Sequence, residues 1–313
     1  MATKSKKDLT IIILSYNTKS VTDECLTRVL EASKFCEKNR KNKVEVIVVD
    51  NGSSDESAGM IKKKYPSVNL IESKTNLGFA KGNNLAMKKA KSPYFLLLNS
   101  DVFLEKDTLV KALDYITKNK ICDVLTIKLT YPDGRFQPCG GYLPTPLRTF
   151  IWMMGIESIS MVRKITGPIH IWDKSFYKKQ RFIEWASGAF FLLRREVYQK
   201  TNGFDENLFL YSEDIEWCKR IKDKGFKICY TPEISVVHLE GASSKNNIKN
   251  QLMSQMRGLI YFHKKYYPKE YKFTGLAIQI GLFLRYILYK LIGNRNYSEA
   301  YLEVFQNLNS SQI

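Results

Sequence analysis

The sequence has few of the features that mark several common classes of protein. Its six cysteines are far apart and form no C-x-x-C pair, which excludes metal-finger spacing and gives no sign of a disulfide framework. We therefore expect reduced thiols and a cytosolic protein. There are only three histidines, and neither an internal repeat nor a low-complexity tract is present.

Long hydrophobic runs are also missing. The N-terminus is rich in lysine, as the start of a signal peptide is, but the apolar run after it covers only residues 9–14. We interpret that run as a buried strand and expect no export by this route. The longest other apolar stretch, residues 276–292, is interrupted by a glutamine, an arginine and a lysine, which disfavours a membrane span.

Acidic residues are scarce relative to basic ones. The 49 Lys and Arg outnumber the 31 Asp and Glu and give a formal net charge of +18. This excess favours polyanionic partners such as nucleic acid, an anionic membrane surface or phosphorylated substrates. Because the lysines are scattered and no recognition module is present, we expect no nucleic-acid partner. The 313 residues, 44% of them hydrophobic, are enough to bury a sizeable core.

Apolar, β-branched runs alternate with helical patterns through the first half of the chain. The runs at residues 10–14, 44–49, 68–71 and 94–98 predict strands, and residues 21–38, 55–64 and 79–89 predict helices. Such alternation is typical of βαβ crossovers. It predicts an α/β fold with a mostly parallel sheet and helices on both faces.

The second half is less regular. We predict helices at residues 106–119, 195–201 and 213–224, and strands at 124–131, 226–230 and 234–239. Residues 140–182 show no clear period, so we expect an irregular insertion there. We divide the chain into a large N-terminal domain, 1–243, and a C-terminal helical region, 244–313.

Polar residues follow the predicted parallel strands at the edge where such sheets bind ligands. Asp50 is one of them. It could simply begin a turn, or its carboxylate could accept the imide N–H of a uracil or thymine base, which would reject cytosine. Asp101 is another, too early to cap the following helix, and it suits a divalent metal that bridges a diphosphate. His238 ends a predicted strand and is either structural or a metal donor.

Two helix starts carry further candidates. Residues 76–84 combine glycines with Lys81, a setting that can bind phosphate through backbone N–H groups or form an ordinary turn. Glu213 and Asp214 open another helix. Acidic residues there complement the helix dipole, but in a transferase one of them could be the general base.

In this order, several short motifs resemble family 2 of the inverting glycosyltransferases. They span about residues 9–243 and are Ser15-Tyr16-Asn17, Asp50-Asn51-Gly52-Ser53, residues 76–84, Asn99-Ser100-Asp101, Ser187-Gly188-Ala189-Phe190 and Glu213-Asp214. The 76–84 segment, and Asn99 where many relatives have an acid, look most like the rhamnosyltransferase-type branch of bacterial polysaccharide assembly.

The resemblance implies a GT-A fold, a nucleotide-sugar donor and a Mg²⁺ or Mn²⁺ ion. It implies that metal affinity is low, because Asn99 is a weak metal donor. Position by position it implies the following roles: Ser15, Asn17 and Asp50 at the nucleoside, Lys81, Asn83 and Asn99 at the donor, Asp101 and His238 at the metal, Trp185, Gly188 and Glu213 at the sugar or acceptor, and Asp214 as base.

The expected activity is transfer of L-rhamnose from thymidine-diphosphate rhamnose to an acceptor hydroxyl, on a lipid-diphosphate-linked saccharide, in cell-surface polysaccharide synthesis. One alternative is a donor of the UDP-hexose or UDP-N-acetylhexosamine type, and another is a catalytically silent nucleotide-sugar-binding protein. A sugar-nucleotide pyrophosphorylase would have a glycine-rich basic loop after the first strand. This chain has Ser15-Tyr16-Asn17 there, which disfavours that class. The sequence fixes no oligomeric state.

The tail beyond the motifs contains a predicted amphipathic helix. Six apolar residues fall on one side of it: Leu276, Ile280, Phe283, Leu284, Ile287 and Leu291. This side could pack on the catalytic domain or lie in an anionic membrane surface. We therefore expect a cytoplasmic protein that is peripheral on the inner face of the cell membrane.

Overall fold

The computed structural model of the chain describes residues 7–241 and 248–310. It divides into two compact units. The sheet unit comprises Met1–Gly140, Trp172–Phe209 and Asp214–Ser243, and the helical unit comprises Gly141–Ile171, Leu210–Glu213 and Ser244–Ile313. The predicted division into 1–243 and 244–313 has a single boundary, whereas two internal segments of the chain group with the C-terminal residues.

The elements follow one another along the chain as follows. The strands are β1 Leu9–Ser15, β2 Val44–Asp50, β3 Asn69–Glu72, β4 Tyr94–Asn99, β5 Val102–Phe103, β6 Val124–Thr130, β7 Phe136–Gln137, β8 Gly140–Gly141, β9 Arg181–Ile183, β10 Trp185–Ala186, β11 Phe190–Arg194 and β12 Ile228–His238. The helices are α1 Lys19–Arg40, α2 Ser57–Lys64, α3 Gly78–Lys89, α4 Thr108–Lys118, α5 Pro146–Met153, α6 Ser160–Thr166, α7 Arg195–Thr201, α8 Glu213–Asp223, α9 Ile248–Tyr266, α10 Tyr271–Leu291 and α11 Arg295–Ser310.

The main sheet of the described residues has the strand order β3-β2-β1-β4-β11-β6-β12-β5. Its first four strands are parallel, with Ile12 opposite both Ile47 and Leu97. Ile11, Ile12 and Ile13 are fully buried, as expected for a strand covered on both faces. The predicted α/β fold with a mostly parallel sheet and flanking helices is confirmed.

The second half departs from prediction in three respects. The first is β11, which lies between β4 and β6 in the main sheet and was not predicted. The two strands predicted within residues 226–239 are one strand, β12, whose register against β6 shifts between Thr231 and Ser235. Pro232 lies in this gap, and because proline has no N–H it cannot donate to the ladder there. Residues 140–182 contain two helices. Pro146 begins α5, since its fixed backbone suits a first helical position, and the Thr145 hydroxyl caps that helix.

The helical unit has a core of its own. Buried residues from four helices form it: Met153, Met256, Leu259, Ile278, Leu282, Val304 and Leu308. Gly281 allows the close approach of α10 to α5, because a Cβ there would lie 2.6 Å from the Met153 carbonyl oxygen. Among the residues described, none of the helices combines the length and the hydrophobicity that a membrane span requires.

Candidate active site

Polar loops leave the carboxyl ends of the neighbouring strands β1 and β2 and are bonded to each other. Asn17 has a left-handed backbone, with φ at 50°, and accepts a hydrogen bond from the Ser54 N–H at 2.8 Å. Its own N–H donates to the Ser53 hydroxyl at 3.0 Å. The Ser15 hydroxyl is buried, 2.9 Å from that of Thr22, and so links β1 to α1. Asn17 therefore lies on the exposed rim of this edge, and Ser15 lies beneath it.

Asp50 ends β2 and is 3% exposed. Its Oδ1 accepts a hydrogen bond from the Ser53 N–H at 3.0 Å, which is the turn-forming role. Its Oδ2 is buried and, within the part of the chain that the structure describes, has no hydrogen-bond partner. An unsatisfied buried polar atom costs about 1–3 kcal/mol. An N–H donor from a ligand at this position would remove that cost.

The segment before α3 is held by the protein itself. Three successive backbone N–H groups donate to protein oxygens: Leu77 to Asn51 Oδ1 at 2.9 Å, Gly78 to Asn76 Oδ1 at 2.9 Å and Phe79 to the Phe209 carbonyl at 2.7 Å. Gly52 packs against the same segment, since a Cβ there would lie 2.7 Å from the Thr75 carbonyl carbon. These amides are therefore engaged, and phosphate binding through them would require their release.

Asp101 and His238 are brought together by strand pairing. β5 follows Asp101 directly and pairs with the end of β12, so that Val102 lies opposite His238. The His238 Nε2 is 3.2 Å from the Asp101 Oδ1, and both side chains are nearly buried. Two ligands at right angles, each about 2.1 Å from Mg²⁺, are about 3.0 Å apart. The pair therefore fits two neighbouring positions around a divalent cation.

The described residues contain no cluster of three or more His, Cys, Asp or Glu side chains around a common metal position. Mg²⁺ in proteins commonly takes only one or two carboxylates and fills its remaining positions with phosphate oxygens and water, so it does not require a cluster of that size. Asn99, on the same edge, is partly exposed. The protein thus offers a partial ligand set that a diphosphate would complete.

Three polar residues outside the motifs support this pair. The His238 Nδ1 is 2.9 Å from the Gln137 Oε1, and the Gln137 Nε2 donates to the Glu240 Oε2 at 2.8 Å. The Tyr131 hydroxyl donates to the same Glu240 oxygen at 2.6 Å. Sequence reasoning missed them, because Gln137 reaches His238 only through the β7–β6 and β6–β12 pairings. The Pro-Asp-Gly sequence at residues 132–134 indicates a turn, and a turn there would fold the segment that contains Gln137 back onto β6.

Asp214 is placed by the packing of α8 on the sheet. Trp217, three residues later, is fully buried, stacks on Phe191 at 5.4 Å and meets Phe204 edge-on at 4.5 Å. Its indole N–H donates to the Thr201 hydroxyl at 2.7 Å. Residues three apart share a helix face, so Asp214 is directed towards the sheet as Trp217 is.

The Asp214 carboxyl has an unusual environment for an acid. Burial raises its pKa to about 6, against the opposing effect of the nearby backbone amides of Ile215, Asp214 and Gly188. Of these, the Ile215 N–H donates to the Asp214 Oδ1 at 2.8 Å. Ala189, which follows Gly188, accepts a hydrogen bond from the Asn99 N–H at 3.1 Å, so the segment near Asp214 also pairs with the edge that carries Asn99. A pKa near neutrality suits a general base.

The remaining predicted site residues differ in exposure. Lys81 is exposed on α3, while Asn83 is buried and its side chain donates to the Phe79 carbonyl at 2.9 Å. Trp185 is buried in β10, and Glu213 is 5% exposed in its segment of the helical unit. In that unit Tyr211 and Ser212 have left-handed backbones. Such strain persists only where the surroundings enforce it.

The model of glycosyl transferase family 2 matches residues 10–218, which include the β1 and β2 loops, Asp101 and Asp214. The chain belongs to this family. The resemblance to its rhamnosyltransferase-type members is also confirmed by curated relatives. The N-acetylglucosaminyl-diphospho-decaprenol L-rhamnosyltransferase of Mycobacterium tuberculosis is 23% identical over 268 residues, 77% of this chain and 84% of that protein. The rhamnosyltransferase WbbL of Escherichia coli is 26% identical over 171 residues, 51% of this chain and 60% of that protein.

A solved structure supports the fold. The mannosyltransferase PcManGT from Pyrobaculum calidifontis, determined with GDP-Man and Mn²⁺, has a TM-score of 0.54 and 15% sequence identity, over 99% of this chain and 77% of that one. At this identity the likeness concerns the fold alone. The GT-A fold implied by the motifs is therefore confirmed.

Proposed function

We propose that the protein is an inverting rhamnosyltransferase. It transfers L-rhamnose from thymidine-diphosphate rhamnose to a hydroxyl of a lipid-diphosphate-linked saccharide, in the assembly of a cell-surface polysaccharide. The choice of sugar and acceptor rests on the likeness to a relative named for rhamnosyl transfer to N-acetylglucosaminyl-diphospho-decaprenol. The chemistry rests on three carboxylates of the sheet unit, Asp50, Asp101 and Asp214.

The single structural observation that carries the nucleotide-sugar part of this proposal is the partnerless Oδ2 of Asp50. A thymine or uracil base presents one imide N–H, and a carboxylate oxygen can only accept. β1 lies between β2 and β4, so Asp50 and the Asp101 edge are about two strand spacings, or about 10 Å, apart. That separation leaves room for the ribose between the base and the diphosphate. Asn17 and Ser15 would shape the nucleoside side of the same edge.

The diphosphate needs positive charge as the bond to the sugar breaks. Asp101 and His238 would hold a Mg²⁺ or Mn²⁺ ion there, and the ion would neutralise charge that develops on the leaving group. Lys81 would add a cation on the donor side. Asn83 and Asn99 are the proposed amide contacts to the donor.

Asp214 would act on the opposite face of the sugar. Its carboxylate takes the proton from the acceptor hydroxyl while that oxygen forms a bond to the sugar carbon, and the bond from this carbon to the diphosphate breaks. Attack opposite the leaving group inverts the configuration. Trp185 and Gly188 would line the sugar and acceptor side.

The helical unit suggests how a lipid-linked acceptor is reached. On α10 the face that packs internally is formed by Ala277, Ile278 and Leu282. The six apolar residues predicted to share a side all lie on the other face and are 38–80% exposed: Leu276, Ile280, Phe283, Leu284, Ile287 and Leu291. The unit has thirteen Lys and Arg against five Glu. An apolar stripe in a basic setting fits the interface of an anionic membrane, and we propose peripheral binding at the cytoplasmic face.

A donor panel tests the activity. The protein is incubated with Mg²⁺ or Mn²⁺, a polyprenyl-diphosphate-linked saccharide, and thymidine-diphosphate rhamnose, UDP-glucose, UDP-N-acetylglucosamine or GDP-mannose, and nucleoside diphosphate release and lipid-linked product are measured. We expect turnover with thymidine-diphosphate rhamnose. Turnover with a UDP sugar instead would favour a donor of the UDP-hexose or UDP-N-acetylhexosamine type, since Asp50 would accept the same imide N–H from uracil. Tight donor binding without product from any donor would identify a catalytically silent binding protein.

A further inference from the structure

A chain of hydrogen bonds reaches the site from outside the motifs. It runs from the hydroxyl of Tyr131 and the carboxylate of Glu240 through the side-chain amide of Gln137 to the imidazole of His238. Gln137 is 3% exposed, so its amide has no competing water shell. Glu240 has a left-handed backbone, with φ at 60°, which a residue other than glycine adopts only where the surroundings enforce it.

The direction of each bond follows from the chemistry of the groups. The Glu240 carboxylate can only accept, so the amide NH₂ of Gln137, rather than its oxygen, faces Glu240. The Gln137 carbonyl oxygen then faces the Nδ1 of His238 at 2.9 Å, and it too can only accept. The Nδ1 of His238 must therefore carry a proton.

We infer that Gln137 is a positioning residue that fixes His238 as the Nδ1–H tautomer, with the Nε2 lone pair directed at the Asp101 carboxylate. The inference rests on the proposed metal site, because a cation held by both the Nε2 and the Asp101 Oδ1, which are 3.2 Å apart, would need an electron pair on each of these atoms. Without Gln137, the neutral ring would gain by protonating Nε2 instead and donating that proton to Asp101. The same two side chains would then bind each other rather than an ion.

The tautomer is read directly by nitrogen NMR of the metal-free protein. With only three histidines, ¹⁵N-histidine labelling gives a simple long-range ¹H–¹⁵N spectrum, and His238→Asn assigns the signal. In the wild type at alkaline pH we expect a protonated Nδ1, as the Gln137 oxygen requires, and an unprotonated Nε2. In Gln137→Met, which keeps the length but has no amide, we expect the proton to move to Nε2 in a large fraction of molecules.

Metal affinity provides a second readout that does not require turnover. Mn²⁺ binding, followed by electron paramagnetic resonance without donor, should weaken roughly tenfold to hundredfold in Gln137→Met. Gln180→Met is the control. Like Gln137, Gln180 donates its amide to a glutamate, Glu233 at 2.8 Å, but it is exposed and its oxygen accepts from the Tyr115 hydroxyl at 3.1 Å rather than facing His238. This control should keep the wild-type tautomer and affinity.

A second variant covers the case in which Gln137→Met does not fold. In Glu240→Gln the side chain that faces Gln137 is an exposed amide, which can donate as well as accept. The Gln137 amide can then rotate by 180° and place either its oxygen or its NH₂ against the His238 ring. The His238 tautomer should therefore become mixed. An Nε2-protonated or doubly protonated ring in the wild type, or an unchanged Nδ1–H ring in a folded variant, would overturn the inference. Since the tautomer is measured without metal or substrate, failure of the transferase proposal would be seen separately.

Discussion

The backbone N–H of Asn99 donates a hydrogen bond to the carbonyl of Ala189 at 3.1 Å. This bond joins the end of β4 to the residue after Gly188, whose backbone amide is among the groups that lower the pKa of Asp214 against the larger effect of burial. A side chain at position 188 would approach the Phe79 ring to 3.0 Å, so the glycine also permits a close fit. The candidate base therefore lies next to the segment proposed to line the sugar pocket.

Asp214→Asn should separate chemistry from binding. The amide oxygen can keep the hydrogen bond from the Ile215 N–H, but the group cannot accept the acceptor's proton. We expect transfer to fall by about 10²–10⁴-fold while donor affinity, measured by calorimetry, stays within a few-fold of wild type. Asp223→Asn, which removes an exposed ion-pair partner of Lys219 on the same helix, is the control. Near-normal transfer in Asp214→Asn would mean that this residue only complements the helix dipole.

The pH dependence should report the same group. Because burial raises the pKa of Asp214 to about 6, the base becomes ionised as the pH rises through that value. We expect kcat/KM to climb about tenfold per pH unit below 6 and to level off above it. A midpoint near 4 would indicate an ordinary, solvated carboxylate.

The free energy of unfolding should fall with rising pH, whereas kcat/KM should rise. A raised pKa in the folded state means that ionisation is disfavoured there, so the contribution of the neutral carboxyl to stability is lost as the pH rises through about 6. Asp214→Asn cannot ionise. Its melting temperature relative to wild type should therefore be higher at pH 8 than at pH 4.5, as checked by thermal denaturation at both values.

Asp50→Asn tests base recognition. The amide oxygen can keep the turn bond to the Ser53 N–H, while the NH₂ replaces the partnerless oxygen and faces the imide N–H with another donor. We expect thymidine diphosphate to bind roughly 10–100-fold more weakly, the equivalent of losing a charge-assisted hydrogen bond. Asp133→Asn, in an exposed turn where the Arg135 N–H is accepted in the same way, should change nothing. Equal effects in both variants would assign Asp50 to the turn alone.

Metal removal should act through Asp101. We expect a chelator to abolish turnover and to weaken donor binding, and Asp101→Ala to do both at saturating Mg²⁺. Asp107→Ala, which removes an exposed ion pair with Lys111 a few residues away, is the control. Unchanged turnover in the chelator would exclude a metal-dependent mechanism.

Membrane binding should depend on the exposed stripe of α10. A triple variant tests this: Leu276→Gln, Ile280→Gln and Leu284→Gln. These residues are spaced by four along the exposed face of α10, so the variant leaves the packed face intact. We expect this variant to sediment less with anionic liposomes at low salt than wild type. The control is a second triple variant that changes three exposed apolar residues of the sheet unit: Ile121→Gln, Trp172→Gln and Phe182→Gln. It should bind liposomes as wild type does. Equal binding of both variants, or no binding of wild type, would contradict the anchor.

The structure favours these point changes over truncation near residue 243. α9, α10 and α11 share a buried core with Met153 of α5, so deleting them would expose that core. The tail helix therefore has two apolar faces, one of them packed. A one-dimensional pattern did not distinguish the packed face from the exposed one, because both carry large aliphatic residues at helical spacing.

The pattern of residues along the chain was enough to predict the parallel half of the sheet and the edge at which the candidate site lies. Hydrophobic runs of strand length alternate with helical patterns, and a parallel sheet places the polar residues after its strands along one edge. Asp50, Asn99 and Asp101 could be selected for that reason alone. The order of the motifs also sufficed to indicate the family.

Which side chains meet could not be predicted in this way, because it depends on contacts between distant parts of the chain. The pairing of β5 with β12 brings Asp101 to His238, and the pairings of β7, β6 and β12 bring Gln137, 101 residues away in sequence, to the other side of the same ring. The sequence also left open whether the amides before α3 are free, and Phe209 accepts from one of them across the fold. Such contacts depend on long-range strand register and loop placement. Local patterns do not encode these, because the energy that selects them comes from burying the whole sheet at once.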